Sequence, residues 1–237
     1  MPAALDHRRA PADFIRANTA VAAPPLVPEI RLWLASEALA LWQAGEAELA
    51  ASGLPPPYWA FAWAGGQALA RYLLDHPDRA AGRRVLDFAA GSGLQAIAAA
   101  KAGAAAVTAS EIDPFAAAAI GLNAALNRVR VAVVAADVIG IDGGDGAANA
   151  PNAPNAEGAD WDLVLAGDVF YERELAARLE PWLRRLAGRG VTVLVGDPGR
   201  AFLPKAGLER LIAYGVKTDR ALEDTDLRNA VVWKVLP

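Results

Sequence analysis

The chain has 237 residues, a formal net charge of −4 and 54% hydrophobic residues, yet 57 residues are alanine, which adds helix propensity more than burial energy. No uncharged run approaches the roughly 18–20 strongly apolar residues of a membrane span, and the acidic balance argues against a nucleic-acid binder held by phosphate contacts. The absence of Cys removes disulfides, thiolate nucleophiles and iron–sulfur clusters, and with only two His, His7 and His76, a histidine metal site or Ser-His-Asp triad is not expected. An enzyme of this composition takes its reactive group from a cofactor.

Residues 1–13 carry no apolar h-region, so no secretory signal is expected. From Pro28 to Gly53 the apolar positions Ile30, Trp33, Leu34, Leu41 and Trp42 predict a helix. Residues 54–65 are rich in Pro and aromatics and cannot be helical at their start; a second helix is predicted from Gly66 to about Asp75. Strand and helix patterns then alternate. Strands are predicted at Arg84–Phe88, Ala106–Glu111, Val129–Ala135, Asp162–Ala166 and Val191–Val195. Helices are predicted at Leu94–Ala102, Pro114–Asn127, Glu172–Leu186 and, shorter, Leu208–Ala213. Val216–Leu222 and Ala230–Leu236 read as a closing antiparallel pair. The fold class is therefore α/β, a Rossmann-like doubly wound seven-stranded sheet with antiparallel last strands. Residues 1–76 read as an N-terminal helical extension and 77–237 as the sheet domain of one compact unit, with a mobile Gly/Ala/Asn/Pro insertion at 140–159.

Val85–Leu94 reads as strand, tight turn and helix start. Gly91 and Gly93 allow backbone to approach a ligand where side chains would collide, beside the free N–H groups of a helix N-terminus. The turn alone also matches a dinucleotide fingerprint. Asp87, before the turn, would repel a pyrophosphate but accept from a ligand ammonium, and Glu111, ending the next strand, stands where an acid grips two ribose hydroxyls. Asp137 follows the third strand, placed to accept from an adenine amino group. This set suits S-adenosylmethionine better than NAD. The alternatives are a turn-stabilising role for Asp87, an exposed strand-end charge at Glu111 and a simple cap at Asp137.

Several blocks carry a resemblance: Phe14-Ile15-Arg16-Ala17-Asn18-Thr19, Pro28-Glu29-Ile30, the Trp59–Leu69 run, Ala109–Pro114, Gly167-Asp168-Val169-Phe170-Tyr171 and Gly196-Asp197-Pro198-Gly199-Arg200. Over about residues 14–237 the chain resembles the class I, seven-strand methyltransferases, and more narrowly the family of lysine methyltransferases that modify the electron transfer flavoprotein beta subunit. Ala64 departs from the family's Pro, and Ala89 from the Gly that begins its turn. The resemblance implies cofactor contacts at Trp59, Trp63, Asp87, Ala89, Gly91, Gly93, Glu111, Ile112 and Asp137. It implies substrate contacts at Phe61, Asp168, Phe170 and Tyr171, with Asp168 and Tyr171 as the catalytic pair and no metal. The implied cofactor is S-adenosyl-L-methionine. The implied protein partner is the electron transfer flavoprotein beta subunit, with a ribosomal protein as a further candidate. A cytoplasmic location is expected, because the family-like region starts by Phe14 and leaves little room for a presequence; a monomer without membrane or nucleic-acid partners is expected as well.

The chemistry agrees with that resemblance. Trp59, Phe61 and Trp63 can offer π faces to a sulfonium or ammonium. Asp168 can hold an ammonium and Tyr171, three residues on, can offer its hydroxyl beside it. The alternatives are an aromatic cluster pinning the N-terminal segment, an N-cap role for Asp168 and pure packing for Tyr171. Asp197 and Arg200 read equally as a turn with its own salt bridge or as a docking feature. A small-molecule amine as acceptor, an NAD-linked oxidoreductase and a non-catalytic binding domain are the competing functions.

Overall fold

The computed structural model describes residues 10–35, 56–141, 161–218 and 225–237. Helix α1 (Pro11–Asn18) begins with Pro in its first turn and buries Phe14 and Ile15. Strands β1 (Ala20–Ala22) and β2 (Leu32–Leu34) form a small antiparallel pair. The part of the predicted 28–53 helix that falls on described residues is thus turn and strand, and the rest lies outside them. Spacing of Ile30, Trp33 and Leu34 imitates a helical stripe. The backbone instead follows partners on a distant helix: Asn123 Oδ1 accepts from Trp33 N at 2.8 Å, and Asn127 exchanges bonds with both Arg31 N and Arg31 O.

After a single 3-10 turn at Tyr58–Ala60 comes α2 (Ala64–Asp75), and then the main sheet. Its strands are β3 (Arg84–Phe88), β4 (Ala106–Ser110), β5 (Ala132–Val134), β6 (Leu163–Gly167), β7 (Thr192–Asp197), β8 (Leu208–Lys217) and β9 (Leu227–Val235). Their order is β5-β4-β3-β6-β7-β9-β8, with β3 to β7 parallel and β9 antiparallel to both β7 and β8. The helices between them are α3 (Leu94–Lys101), α4 (Pro114–Leu126) and α5 (Arg173–Gly188). Pro114 opens α4 behind the N-cap Asp113, whose carboxylate accepts from Phe115 N at 2.8 Å.

The predicted helix at Leu208–Ala213 is a correction: these residues begin β8, and the closing hairpin starts earlier than expected. A bulge explains the misreading. Arg210 pairs with Trp233 and Ile212 with Val232, leaving Leu211 as the extra residue. That insertion breaks strict alternation and places Leu208, Leu211 and Ile212 at a spacing that reads as helical.

Two cores cover the two faces of the sheet. Leu69, Leu73, Val85, Leu94, Ile97, Leu163 and Leu165 pack under α2 and α3, while Leu86, Phe88, Val164, Leu179, Trp182 and Val195 pack under α5. Because α3 and α5 leave the adjacent strands β3 and β6 toward opposite faces, a crevice opens at the carboxyl ends between them, the switch point where open α/β sheets bind ligands. A third cluster, with Phe14, Trp59, Phe61, Ala116 and Ala119, joins α1 and the aromatic segment to α4. Among the described residues no helix is long and apolar enough to cross a membrane.

Candidate active site

The crevice is built from the loops that follow β3, β4, β6 and β7. At β3, Asp87 is completely buried, and its Oδ2 accepts from Ala96 N at 2.8 Å in the first turn of α3. Burial with little compensation pushes its pKa up to about 8, and the nearby Glu111 charge adds to the shift. Asp87 Oδ1 has no hydrogen-bond partner among the described residues, and neither has Gln95 Oε1, a buried acceptor on α3. The turn itself requires positive φ at Ala89 (49°), Gly91 (52°) and Gly93 (76°). A side chain at Gly93 would press on Ile120 of α4 at 3.2 Å, so the turn sits tightly between helices.

Glu111 reaches back across this turn. Its Oε2 accepts from Gly91 N at 3.0 Å, and its Oε1 from Ile112 N at 2.8 Å and Asp113 N at 3.3 Å, which fixes both oxygens and leaves Oε2 a second lone pair. Beside it, Ile112 is 73% exposed, an apolar side chain left open next to the carboxylate. Asp113, half-buried behind them, is pushed up to about 6, chiefly by burial and also by Glu111. Asp137 lies past β5 but is engaged: it pairs with Arg178 of α5 and accepts from Ile139 N at 2.9 Å.

The second half of the crevice centres on Asp168. This residue adopts φ 57° directly after β6, and its carboxylate is 8% exposed. It does not cap α5, whose N-cap is Glu172; Oδ2 instead accepts from Gly66 N at 3.0 Å, capping α2 across the fold. Oδ1 takes Nε and Nη2 of Arg200 at 3.0 and 2.6 Å. Arg200 thus forms an ion pair with Asp168 across the ends of β6 and β7. Asp197 holds the turn backbone, its Oδ1 accepting from Gly199 N and Arg200 N at 2.6 and 2.7 Å.

Two glycines permit this arrangement. A Cβ at Gly65 would overlap the Gly196 carbonyl and come within 2.6 Å of Asp168 Oδ2, and a Cβ at Gly196 would overlap the Gly65 carbonyl. Bare backbone at both positions lets α2 touch the end of β7 and present Gly66 N to the carboxylate.

The aromatic segment is only partly open. Trp59 is 2% exposed, stacked on Phe115 at 6.5 Å and edge-on to Phe14, with its backbone against Gly91. Phe61 is buried as well, in the same cluster that packs α1 and the aromatic segment on α4. Trp63 is half-buried; its Nε1 donates to Tyr58 O at 2.9 Å and the Arg200 guanidinium carbon lies 5.7 Å from its ring centre. Tyr58 in turn meets Tyr171 at 5.5 Å. Tyr171 is 43% exposed and precedes α5 in a bend rather than standing in its first turn; partial burial and the neighbouring Tyr58, Glu172 and Glu111 push its hydroxyl up to about 12. Phe170 is buried in the core under α5.

Asp87, Ala89, Gly91, Gly93, Glu111 and Ile112 thus gather on one side of the crevice, and Trp63, Asp168 and Tyr171 on the other. Tyr58, Gln95, the Gly65–Gly196 contact and the Asp168–Arg200 pair complete it, and no local sequence signal singles them out. Among the described residues no cluster could hold a metal ion. The residues fit S-adenosylmethionine: two orphaned buried acceptors suit its ammonium, Glu111 its ribose and Ile112 the face of its base.

The sequence model of the Ribosomal protein L11 methyltransferase (PrmA) family matches residues 67–147. The electron transfer flavoprotein beta subunit lysine methyltransferase of Xenopus laevis is 39% identical over 233 residues, spanning 96% of this chain and 87% of that protein. The human protein of that name is 37% identical over 231 residues, spanning 94% and 81%. The Caenorhabditis elegans homolog is 34% identical over 225 residues, spanning 94% and 90%. Among solved structures, magnesium protoporphyrin IX methyltransferase from Synechocystis aligns with a TM-score of 0.49 and 14% identity over 72% of this chain and 77% of that one. The sheet order, the glycine turn with its acidic partners and the lysine methyltransferase relatives define an S-adenosylmethionine-dependent methyltransferase. Within that class, identity at this level over nearly the whole length is decisive. The chain belongs to the electron transfer flavoprotein beta subunit lysine methyltransferase family.

Proposed function

We propose that this chain methylates lysine side chains of the electron transfer flavoprotein beta subunit, using S-adenosylmethionine. The observation that carries the reading is the placement of Asp87 and Glu111 after β3 and β4 beside Asp168, Tyr171, Tyr58 and Trp63 at the end of the neighbouring β6. The cofactor supplies a sulfonium methyl group, and transfer forms an N–C bond to the amine while the C–S bond breaks with its electron pair on sulfur. Asp87, Gln95, Glu111 and Ile112 would hold it. Asp168 and the aromatic rim would receive and orient the lysine, whose long apolar stem suits Tyr58 and Tyr171. The lysine must reach the reacting position as the neutral amine although its ordinary pKa is near 10.4. A rim of aromatic rings removes water and disfavours the ammonium.

The test is direct. Purified protein, S-adenosylmethionine and recombinant electron transfer flavoprotein are incubated, and the beta subunit is followed by intact mass and peptide mapping. Methyl additions on lysine are expected. An unchanged beta subunit, with label appearing only on small amines, would replace the acceptor. Calorimetric binding of NADH in place of S-adenosylmethionine would reject the class of reaction.

A further inference from the structure

Both groups best suited to hold the lysine ammonium, the Asp168 carboxylate and the Trp63 ring, are already engaged by one internal cation. Arg200 Nη2 lies 2.6 Å from Asp168 Oδ1, and its guanidinium lies over Trp63 at 5.7 Å. The pair is mostly buried, with side chains 19% and 8% exposed, and the better exposed member is the cation. Its backbone N donates to Asp197 Oδ1, as does Gly199 N just before it, so the residue is held at its backbone as well as at its guanidinium. Separating so buried a pair would leave a carboxylate uncompensated, which is costly. Resting on the lysine-methylation reading above, we propose that Arg200 is a positioning residue that stays in place during turnover, neutralises Asp168 and presents positive charge to the mouth, so that the target lysine settles there as the neutral amine.

The charges that face the mouth set the sign of the effect. Tyr58 and Tyr171 bring neutral hydroxyls; Glu111, Glu172 and Asp168 bring carboxylates; Arg200 brings the cation. The Tyr171 hydroxyl already senses these groups: Glu172 and Glu111 raise its pKa, and Arg200 opposes them. A lysine entering past Tyr171 meets the same field. With Arg200 in place the guanidinium offsets the carboxylates and the lysine proton leaves to solvent. Without it, three carboxylates remain and favour the ammonium, which has no lone pair with which to attack.

The experiment compares wild type, Arg200→Gln and Arg200→Lys on the electron transfer flavoprotein beta subunit, with kcat and KM measured from pH 6.5 to 10 and folding checked by thermal denaturation. Arg200→Gln is expected to lower kcat roughly 10- to 100-fold at pH 7, to recover much of it by about pH 10, and to move the apparent pKa of kcat up by about 1 unit or more. Arg200→Lys, which keeps the charge, is expected to hold the wild-type profile while losing part of kcat/KM. An alkaline limb unmoved in a folded Arg200→Gln protein would overturn the proposal. So would a lowered KM with unchanged kcat, since that marks Arg200 as a latch the substrate displaces. Failure of the wild type itself to modify any lysine would overturn the reading beneath it.

Discussion

Replacing Gly65 by Ala tests how closely the structure constrains the site. Gly65 lies in the first turn of α2 with ordinary helical backbone, so by propensity alone the substitution should add up to about 1 kcal/mol of stability. The packing opposes it. The new methyl would overlap the Gly196 carbonyl of β7 and lie 2.6 Å from Asp168 Oδ2, and the carbonyl oxygen cannot step aside, because it accepts from Asp168 N at 2.9 Å and its strand is paired on both sides, with β6 and β9. Overpacking of this kind costs about 1–3 kcal/mol, and the upper part of that range applies where the clash is with backbone. The net loss is about 2 kcal/mol, a fall of roughly 4–8 °C in Tm for a chain of this size. Gly121, on the exposed face of α4 with nothing within 4 Å of its would-be Cβ, is the matched control, and Gly121→Ala should add about 0.5–1 kcal/mol. Urea denaturation followed by circular dichroism measures both. Because Gly66 N caps on Asp168, Gly65→Ala should also depress methylation while Gly121→Ala should not. A Gly65→Ala protein as stable as wild type, or two substitutions moving stability in the same direction, would refute the close-contact argument.

Asp168→Asn keeps a residue that tolerates φ 57° and an acceptor for Gly66 N but removes the charge facing Arg200; kcat/KM should fall roughly 10- to 100-fold with little change in far-ultraviolet circular dichroism, and full activity would count against the role given to Asp168. Glu111→Gln should weaken S-adenosylmethionine binding by about 10-fold or more in calorimetry, because hydrogen bonds to a charged acceptor are worth about 1.5–3 kcal/mol; unchanged affinity would remove Glu111 from the cofactor site. Asp87 gives a pH dependence with a definite sign. Its folded pKa, raised to about 8, exceeds the ordinary carboxyl value, so the folded state keeps a proton that the unfolded state gives up, and stability declines as pH climbs from about 4 toward 8. Asp113, raised to about 6, contributes the same sign at lower pH. Asp87→Asn should therefore lessen the decline between pH 6 and pH 8.5 in ligand-free urea titrations, and a wild-type stability that rises across that interval would show that Asp87 is not held protonated.

Some of this was readable without coordinates. The alternation of β-type and helical runs from Arg84 onward specified a doubly wound sheet, because strands buried on both faces and helices buried on one leave different periodicities. Pro114 behind Asp113, and the strand–glycine–helix run at Val85–Leu94, mark their own local structure because a cap or a tight turn is decided within a few residues. Where the chain was misread, a distant partner decided the conformation. Arg31 and Trp33 are extended because Asn127 and Asn123 bind their backbone, and the helical spacing near Leu211 is a bulge set by the register of β8 on β9.

The same division runs through the active site. Composition pointed to a borrowed reactive group, since a chain without Cys and with two His has no thiolate and little imidazole to work with, and motif order determined which strand ends carry acids. The tertiary structure decided what those acids face. Asp168 and Arg200 are thirty-two residues apart, and the sequence offers Asp197 as the nearer partner. They meet because β6 and β7 are neighbours in the sheet, Gly167 opposite Gly196, and because Gly65 and Gly196 let α2 close down on the strand end. Pairing across a sheet is set by strand order and the space between backbones, quantities that no local spacing of residues encodes.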